Sequence, residues 1–181
     1  MASLARHLLV AAPTLLDPNF HRTVVLIAHH DEQGAMGVVL NRPSEATIGE
    51  ALPDIEEIIP SDESIYSGGP VATDGVMILA ELTDPSLAAL RLDDDLGFIA
   101  VEADNAQLKA ATRRARAFAG HAGWAPGQLE AELEEEAWIV EPARREDAFT
   151  DAPEELWSAV LQRKGGSYAL VARMPLDPSV N

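Results

Sequence analysis

Apolar and polar positions along the chain fall into short blocks. Leu8 to Ala12 is apolar without interruption and stops at Pro13, which predicts a buried strand. Asp17-Pro18 then initiates a turn. Thr23 to Ala28 (TVVLIA) is continuous and β-branched instead of alternating, so it predicts a strand covered on both faces. HHDEQG turns the chain and Ala35 to Leu40 returns, giving a β-hairpin whose loop holds Gly34. Pro43 lacks an amide donor and biases Arg42 towards extended backbone, so the returning strand ends there. A short helix is expected around Ile48 to Leu52, followed by an acidic loop. SIYSGGPV reads as a brief strand entering a tight turn, and Val76 to Leu82 and Gly97 to Val101 as two more strands. Between those two, TDPSLAALRLDDDLG is turn-rich and solvated.

The segment Asn105 to Phe118 has helix propensity throughout, yet Ala115, Ala117 and Ala119 alternate at strand period. A helix to about Thr112 followed by a strand into Gly120 satisfies both signals. WAPGQLEAELEEEAW predicts a helix, with Pro126 at its first position and Leu129 and Leu133 on one face. Glu130 and Glu132 lie in its first turns, where the helix dipole favours acids. Ala137 to Val140 reads as a strand stopped by Pro142. DAPEELWSAVLQRKGG reads as a last helix, with Asp151 as cap and Gly165 as stop. There is no repeat, linker or low-complexity block, so the 181 residues predict a single domain of interleaved strands and helices.

Composition narrows the chemistry. Acids outnumber bases 30 to 13, for a formal charge of -17. A field of that sign repels nucleic acid and anionic membrane at long range, so direct DNA binding is disfavoured. The chain has no cysteine, which excludes disulfides, zinc thiolates and thiol catalysis and fits a reducing cytoplasm. Arg6, His7 and the apolar run after them imitate a signal peptide. Pro13 breaks that run early, and the strand reading is preferred. No apolar run approaches the ~18 residues of a membrane span. P-loop, dinucleotide, nucleophile-elbow and HExxH motifs are absent.

The remaining candidates each have two readings. His29, His30 and Asp31, with His121 more distant, are ligand types suited to a metal. Neighbours on an extended chain point to opposite faces, however, so the two histidines cannot easily share one ion. The preferred reading puts one histidine outside and one packed at the hairpin mouth. Asn41 and Arg42 could present a fork to a carboxylate or phosphate. The preferred reading has Asn41 bonding nearby loop backbone and Arg42 pairing with a surface acid. Ser67 to Val71 (SGGPV) could cradle an anion, but a Gly-Gly-Pro step is more often a turn needing positive φ. Lys109, Arg113, Arg114 and Arg116 form the one basic cluster, expected to pair with the acidic run Glu130 to Glu136 or to face solvent. Trp124, flanked by glycine and a helix start, suits a pocket, an interface or a core anchor.

Taken together, DPNFHRTVVLIAHHDEQGAMGVVLNRP, SGGPV, GHAGWAPGQLEAELEEEAWIVEPA and the ELW before Ser158 resemble, in order and spacing, the bacterial family typified by AlgH and YqgE. The resemblance covers essentially the whole chain. Phe20, Arg22, His30, Gly34, Ala35, Gly37, Asn41, Pro43, Gly68, Gly69, Pro70, Gly123, Trp124, Gln128, Leu129, Glu130 and Trp138 match its recurring positions. It implies an α+β fold in which coiled, bifurcated β-sheets form a pseudo-barrel with a few packed helices. It also implies a small cytoplasmic bacterial protein, of a kind often labelled a transcriptional regulator. It brings no established catalytic residues. His29 stands where Glu is common and His121 where Tyr is common. Ala28 replaces a cysteine that some members carry, so no thiol-based role can operate here. The resemblance also favours a strand through Phe118 into GHAGW.

The expectation is therefore a non-enzymatic protein that binds an unknown protein partner or small ligand, with no cofactor, no metal and no catalytic residues. Its candidate surface joins Arg22, His30, Asn41 and Arg42 with Gly68 and Gly69 of the turn and with Trp124, Gln128 and Glu130 at the helix start. The three blocks are expected to converge within ~15 Å, several strand spacings. The rival expectation is an enzyme of unknown substrate with His30 as general base beside Glu130 or Asp31.

Overall fold

The computed structural model describes residues 2–99 and 103–175. The strands are β1 (His7–Ala11), β2 (Val24–Asp31), β3 (Gly34–Val39), β4 (Pro43–Thr47), β5 (Ser64–Ser67), β6 (Val71–Leu82), β7 (Ala88–Arg91), β8 (Leu96–Ile99), β9 (Thr112–Trp124) and β10 (Trp138–Pro142). The helices are α1 (Ile48–Ala51), α2 (Asn105–Ala111), α3 (Gln128–Glu134), α4 (Arg145–Ala148), α5 (Leu156–Lys164) and α6 (Tyr168–Val171). The main path of the sheet runs β10-β1-β2-β3-β9-β6-β8-β7, with β4 paired to β5 beside it.

The thirteen residues of β9 belong to both halves of that sheet. Ala122 to Trp124 pair antiparallel with Gly37 to Ala35 of β3. Phe118 and Ala119 pair in parallel with Tyr66 and Ser67 of β5. Thr112 to Ala119 pair antiparallel with β6 on the opposite edge. The sheet thus forks at Gly120, whose φ of 71° lies in the left-handed region. Gly68 sits in the fork: its N–H donates to Ala119 O at 2.8 Å and its O accepts from the Val39 N–H at 2.8 Å. A side chain there has no room. A Cβ on Gly68 would lie 2.3 Å from Gly120 O, and one on Gly69 2.2 Å from the His121 carbonyl carbon.

The curl closes one interior. Leu8 and Val10 of β1, Val24 and Leu26 of β2, Leu79 of β6, Phe98 of β8 and Phe118 of β9 form one cluster with Leu156, Trp157, Val160 and Leu161 of α5. The result is a half-barrel wrapped on a helix. The outer faces are also covered. Leu9, Ala11, Val25 and Ile27 pack with Trp124, Trp138 and Leu129 of α3. Ile48 of α1 packs with Ile59, Ile65 and Ala117, and Leu108 of α2 with Ala80, Leu82 and Ile99. Cover on both faces is the reason the strand sequences are apolar runs and not alternating ones. The outer edge of β10 is capped by the Lys164 ammonium, which donates to Val140 O at 2.8 Å, and by Arg163, which donates to Pro142 O at 3.3 Å. Cations at an edge discourage pairing with a second chain.

The expected elements are present, with corrections. β2 extends through both histidines to Asp31, leaving Glu32 and Gln33 as the hairpin loop. β3 ends at Val39 and not at Pro43, and Pro43 instead begins another strand, β4, as a proline can where the strand lies at a sheet edge. The solvated stretch before β8 contains β7, and β6 begins at Val71 instead of Val76. Residues 100 and 101 of the strand expected to reach Val101 lie outside the described residues. The α2 to β9 switch falls at Thr112, but the strand continues to Trp124. Pro126 precedes α3, whose N-cap is Gly127 at φ 77°. Asp151 caps nothing: a 3-10 turn at Pro153–Glu155 leads into α5.

Two glycine variants separate conformational strain from collision. Gly127 also has positive φ, but nothing lies within 4 Å of a Cβ built there. Gly127→Ala is expected to cost about 1–2 kcal/mol in denaturant unfolding, the left-handed penalty alone. Gly69→Ala is expected to cost more than about 3 kcal/mol, because backbone of β9 must also move.

Candidate functional site

The bulge in β2 between Ile27 and His29 re-aims the end of the strand. His29 faces solvent, where its Nε2 lies 2.8 Å from an Asp31 carboxylate oxygen. His30 faces inward, its side chain 4% exposed. The Leu4 backbone N–H donates to His30 Nδ1 at 3.0 Å, so Nδ1 is the unprotonated nitrogen. Nε2 carries the proton and donates to Glu130 Oε1 at 2.9 Å. Both ring nitrogens are thereby occupied. Glu130 lies in the first turn of α3, and its carboxyl is held below the usual range by its own backbone N–H first and by His30 second.

Next to this pair lies an aromatic cluster. Phe20 stacks on Trp124 at 6.2 Å between centroids and meets Trp138 edge-on at 5.5 Å, and the two indoles are 6.0 Å apart. Glu132 Oε2 accepts both indole N–H groups, at 2.9 Å from Trp124 and 2.8 Å from Trp138. Its Oε1 accepts from Gln128 Nε2 at 2.9 Å, and Gln128 Oε1 accepts from the Ala125 N–H at 3.0 Å. Trp124 is thus a core anchor, and Gln128 and Glu132 tie the start of α3 to it. The sequence reading missed Glu132 as a hydrogen-bond partner. Within an acidic run, only its i+4 spacing from Gln128 distinguished it.

Asn41, Arg42 and Arg22 stand at the other end of the hairpin. Asn41 Oδ1 accepts from the Val24 N–H at 2.9 Å, and its Nδ2 donates to Arg22 O at 2.9 Å. Arg22 is held there at φ 55°. Arg42 donates to Asn19 O at 2.8 Å and His21 O at 3.0 Å, fastening the turn between β1 and β2. The expectation that Arg42 pairs with a surface acid is corrected: its partners are carbonyls. The Arg22 guanidinium lies 4.2 Å above the Trp157 ring and donates to Met174 O and Pro175 O. Burial lowers the pKa of both guanidiniums. His21, Arg22, Asn41, Arg42, Glu154, Trp157, Ser158 and Met174 line one groove. Asn19, Val39, Arg42, Ser67, Gly69, Pro70 and Thr73 line a second, so Arg42 borders both.

The backbones of the three blocks do meet. Ala35 of the hairpin pairs with Trp124, and Gly68 bonds both Val39 and Ala119. Their candidate side chains divide into two groups. From Val24, beside Asn41, to His30 is six residues of strand, ~20 Å at ~3.3 Å each. His30, Trp124, Gln128 and Glu130 form one group; Arg22, Asn41, Arg42 and the Gly68-Gly69 turn form the other.

The basic cluster does not meet the acids of α3, which corrects the expected pairing. Lys109 pairs with Glu57 at 3.1 Å and Arg113 with Asp95 at 3.1 Å. Arg114 grips Glu81 through two nitrogens, and Arg145 bridges Glu81 and Asp95. Arg116 is buried, 4.5 Å above the Tyr66 ring, and donates to Ala148 O and Thr150 O. The Arg114 hydrogen bond holds the Glu81 carboxyl below its usual range, and Arg145 does the same for Asp95. Among the described residues, no group of three or more His, Asp and Glu side chains could hold a metal ion, and no helix is long and apolar enough to cross a membrane.

A forked, curled sheet with a helix in its concave face and a glycine wedge in the fork defines an α+β half-barrel class. The chain belongs to the AlgH-like family (DUF179), whose model matches residues 8–169. A UPF0301 protein of Streptomyces coelicolor is 43% identical, over 100% of this chain and 97% of the relative. One from Thermobifida fusca is 40% identical, over 99% and 96%. The crystal structure of protein DIP2367 from Corynebacterium diphtheriae superposes with a TM-score of 0.85 at 30% identity, covering 95% of this chain and 92% of that one. The solution structure of the AlgH protein from Pseudomonas aeruginosa gives 0.75 at 34%, covering 97% and 96%.

Glu132→Ala is expected to leave two indole donors without an acceptor and to cost about 2–4 kcal/mol in denaturant unfolding, with altered tryptophan emission. Glu132→Gln, which keeps one acceptor oxygen, is expected to lose less. The second expectation concerns pH. The Glu81 carboxylate, depressed when folded, contributes stability above its ordinary value of 4.5, and that stability is lost as pH falls through the lower folded value. Glu81→Gln should therefore melt below the parent chain at pH 7. The gap should begin to narrow as pH drops below that ordinary value and close only below the depressed folded value, where the parent's own carboxyl becomes neutral. A gap that stays constant down to acid would exclude the ionised pair as its source.

Proposed function

We propose that this chain is a non-enzymatic, single-domain cytoplasmic binding protein that acts on a small ligand or partner protein through the Arg22, Asn41 and Arg42 end of its sheet. The observation that carries the non-enzymatic reading is the double occupancy of His30. A general base needs a free nitrogen facing substrate. Here Nδ1 is taken by the Leu4 N–H, and Nε2–H is spent on Glu130. The binding surface is favoured at the opposite end because its two grooves share Arg42 and because Arg22 and Arg42 have no carboxylate within ion-pair distance among the described residues. Half-buried guanidiniums bonded only to carbonyls keep their charge available to an anionic group. Any part in transcription passes through such a ligand or partner and not through a grip on DNA, since Lys109, Arg113 and Arg114 are already matched by carboxylates. Trp124, Gln128, Glu130, Gly68 and Gly69, expected at the binding surface, serve this reading as its scaffold.

A melting-temperature screen of the full chain against nucleotides, common metabolites and metal ions, followed by 1H–15N mapping of each hit, tests the proposal. Hits are expected to move amides of residues 19–22, 41–43 and 67–73, and His30→Gln is expected to leave their affinity unchanged. Long-range 1H–15N spectra should show the neutral His30 ring as the Nε2–H tautomer. A turnover abolished by His30→Gln in a folded variant would overturn the non-enzymatic reading. Steeply salt-dependent binding to duplex DNA would overturn the indirect route.

A further inference from the structure

A pocket opens from the surface into the half-barrel and shares no lining residue with the two grooves above. Its walls are Leu8 of β1, Leu26 of β2, Leu40 just past β3, Leu92, Leu96 of β8, Ala143 and Ala148, and its mouth carries Arg6, Asp93, Arg144 and Arg145. Its volume is about 60 Å³. A cavity of ~150 Å³ takes benzene, so this one fits an aliphatic chain of roughly two to four carbons. Leucines from separate strands therefore form an apolar end, and three arginines stand at the opening of a chain that is otherwise strongly acidic.

The charges at the mouth are not equivalent. Arg145 is matched by Glu81 and Asp95. Arg6 reaches Asp93 at 3.5 Å, with both side chains half exposed or more. Arg144 has no carboxylate within 4 Å among the described residues, so one cation is left over. Arg6 is also one of four non-glycine residues at positive φ among the described residues, at 66°. Its N–H donates to Ile27 O at 2.9 Å, and its O accepts from the Ala143 N–H at 3.1 Å. The strained backbone is thus pinned on both sides at the rim of the cavity. Strain of this kind, held by its surroundings, occurs at ligand sites more than elsewhere.

We infer that this cavity binds a short aliphatic carboxylate, its chain among Leu8, Leu26, Leu40, Leu92 and Leu96 and its carboxylate on Arg144 and Arg6. An apolar pocket with a few convergent polar groups at one end suits an amphipathic ligand. A guanidinium fork suits the carboxylate, and at the solvent edge it can bind without being fully desolvated.

The probe is butyrate, compared with butyramide, which has the same chain and no charge. Leucine methyl NMR of the full chain is the readout. Butyrate is expected to shift the Leu8, Leu26, Leu40, Leu92 and Leu96 methyls saturably, and butyramide to bind at least about tenfold more weakly. Arg144→Gln, at an exposed position, should reduce butyrate affinity to the amide's level. Ala143→Leu should fill the mouth and abolish the shifts. Equal affinity for butyrate and butyramide overturns the assignment, as does the absence of saturable shifts at the solubility limit of butyrate. The comparison on the unaltered chain decides the matter even if a variant fails to fold. Residues 19–22 and 41–43 should stay unmoved by butyrate, so this result is separable from any at the Arg22 and Arg42 grooves.

Discussion

The rest of the structure depends on one close passage of backbone over backbone, where Gly68 and Gly69 cross β9 at Gly120. Gly68 bonds to β3 through Val39 and to β9 through Ala119, so it occupies the place where two edges of one sheet part. A side chain at either glycine would collide with the backbone of β9, so the passage requires glycine. β9 serves two sheets in turn. The curl that follows brings Leu8 and Phe118, from different halves, into one interior around Trp157 and Leu161. The SGGPV stretch, which invites an anion-cradle reading, is thus better explained by a steric requirement of the fold.

The same principle extends to the polar candidates. Most of the side chains that catch the eye are used internally. Asn41 bonds Val24 and Arg22, Arg42 bonds Asn19 and His21, and His30 bonds Leu4 and Glu130. Each closes an irregular turn whose backbone groups would otherwise lack partners, which buried backbone does not tolerate. A residue can therefore be essential to this fold without touching a ligand. Arg22, Arg42 and Arg144, by contrast, have no carboxylate within ion-pair distance among the described residues.

Much of this was open to reading in the sequence. Uninterrupted apolar runs at Leu8 to Ala12 and Thr23 to Ala28 determined strands buried on both faces, because water on one face would have required alternation. The helix propensity of Asn105 to Ala111 and the alternation after it determined the switch at Thr112. Adjacent histidines on a strand determined that His29 and His30 face opposite ways, and the acid excess made direct nucleic-acid contact a poor expectation. Local pattern suffices for such features because each depends on neighbours in the chain.

Tertiary structure alone decided which distant groups meet. Glu132 looks like any acid in EAELEEE until Trp124 and Trp138 both point their indoles at it. Arg114 finds Glu81 across the β6–β9 pairing and not the acids of α3, because register and not charge chose its neighbour. The candidate surface separated into two because β2 is long enough to hold Asn41 and His30 at opposite ends. The interior cavity likewise has no signature in the chain, since its leucines lie on different strands and become neighbours only when the sheet curls.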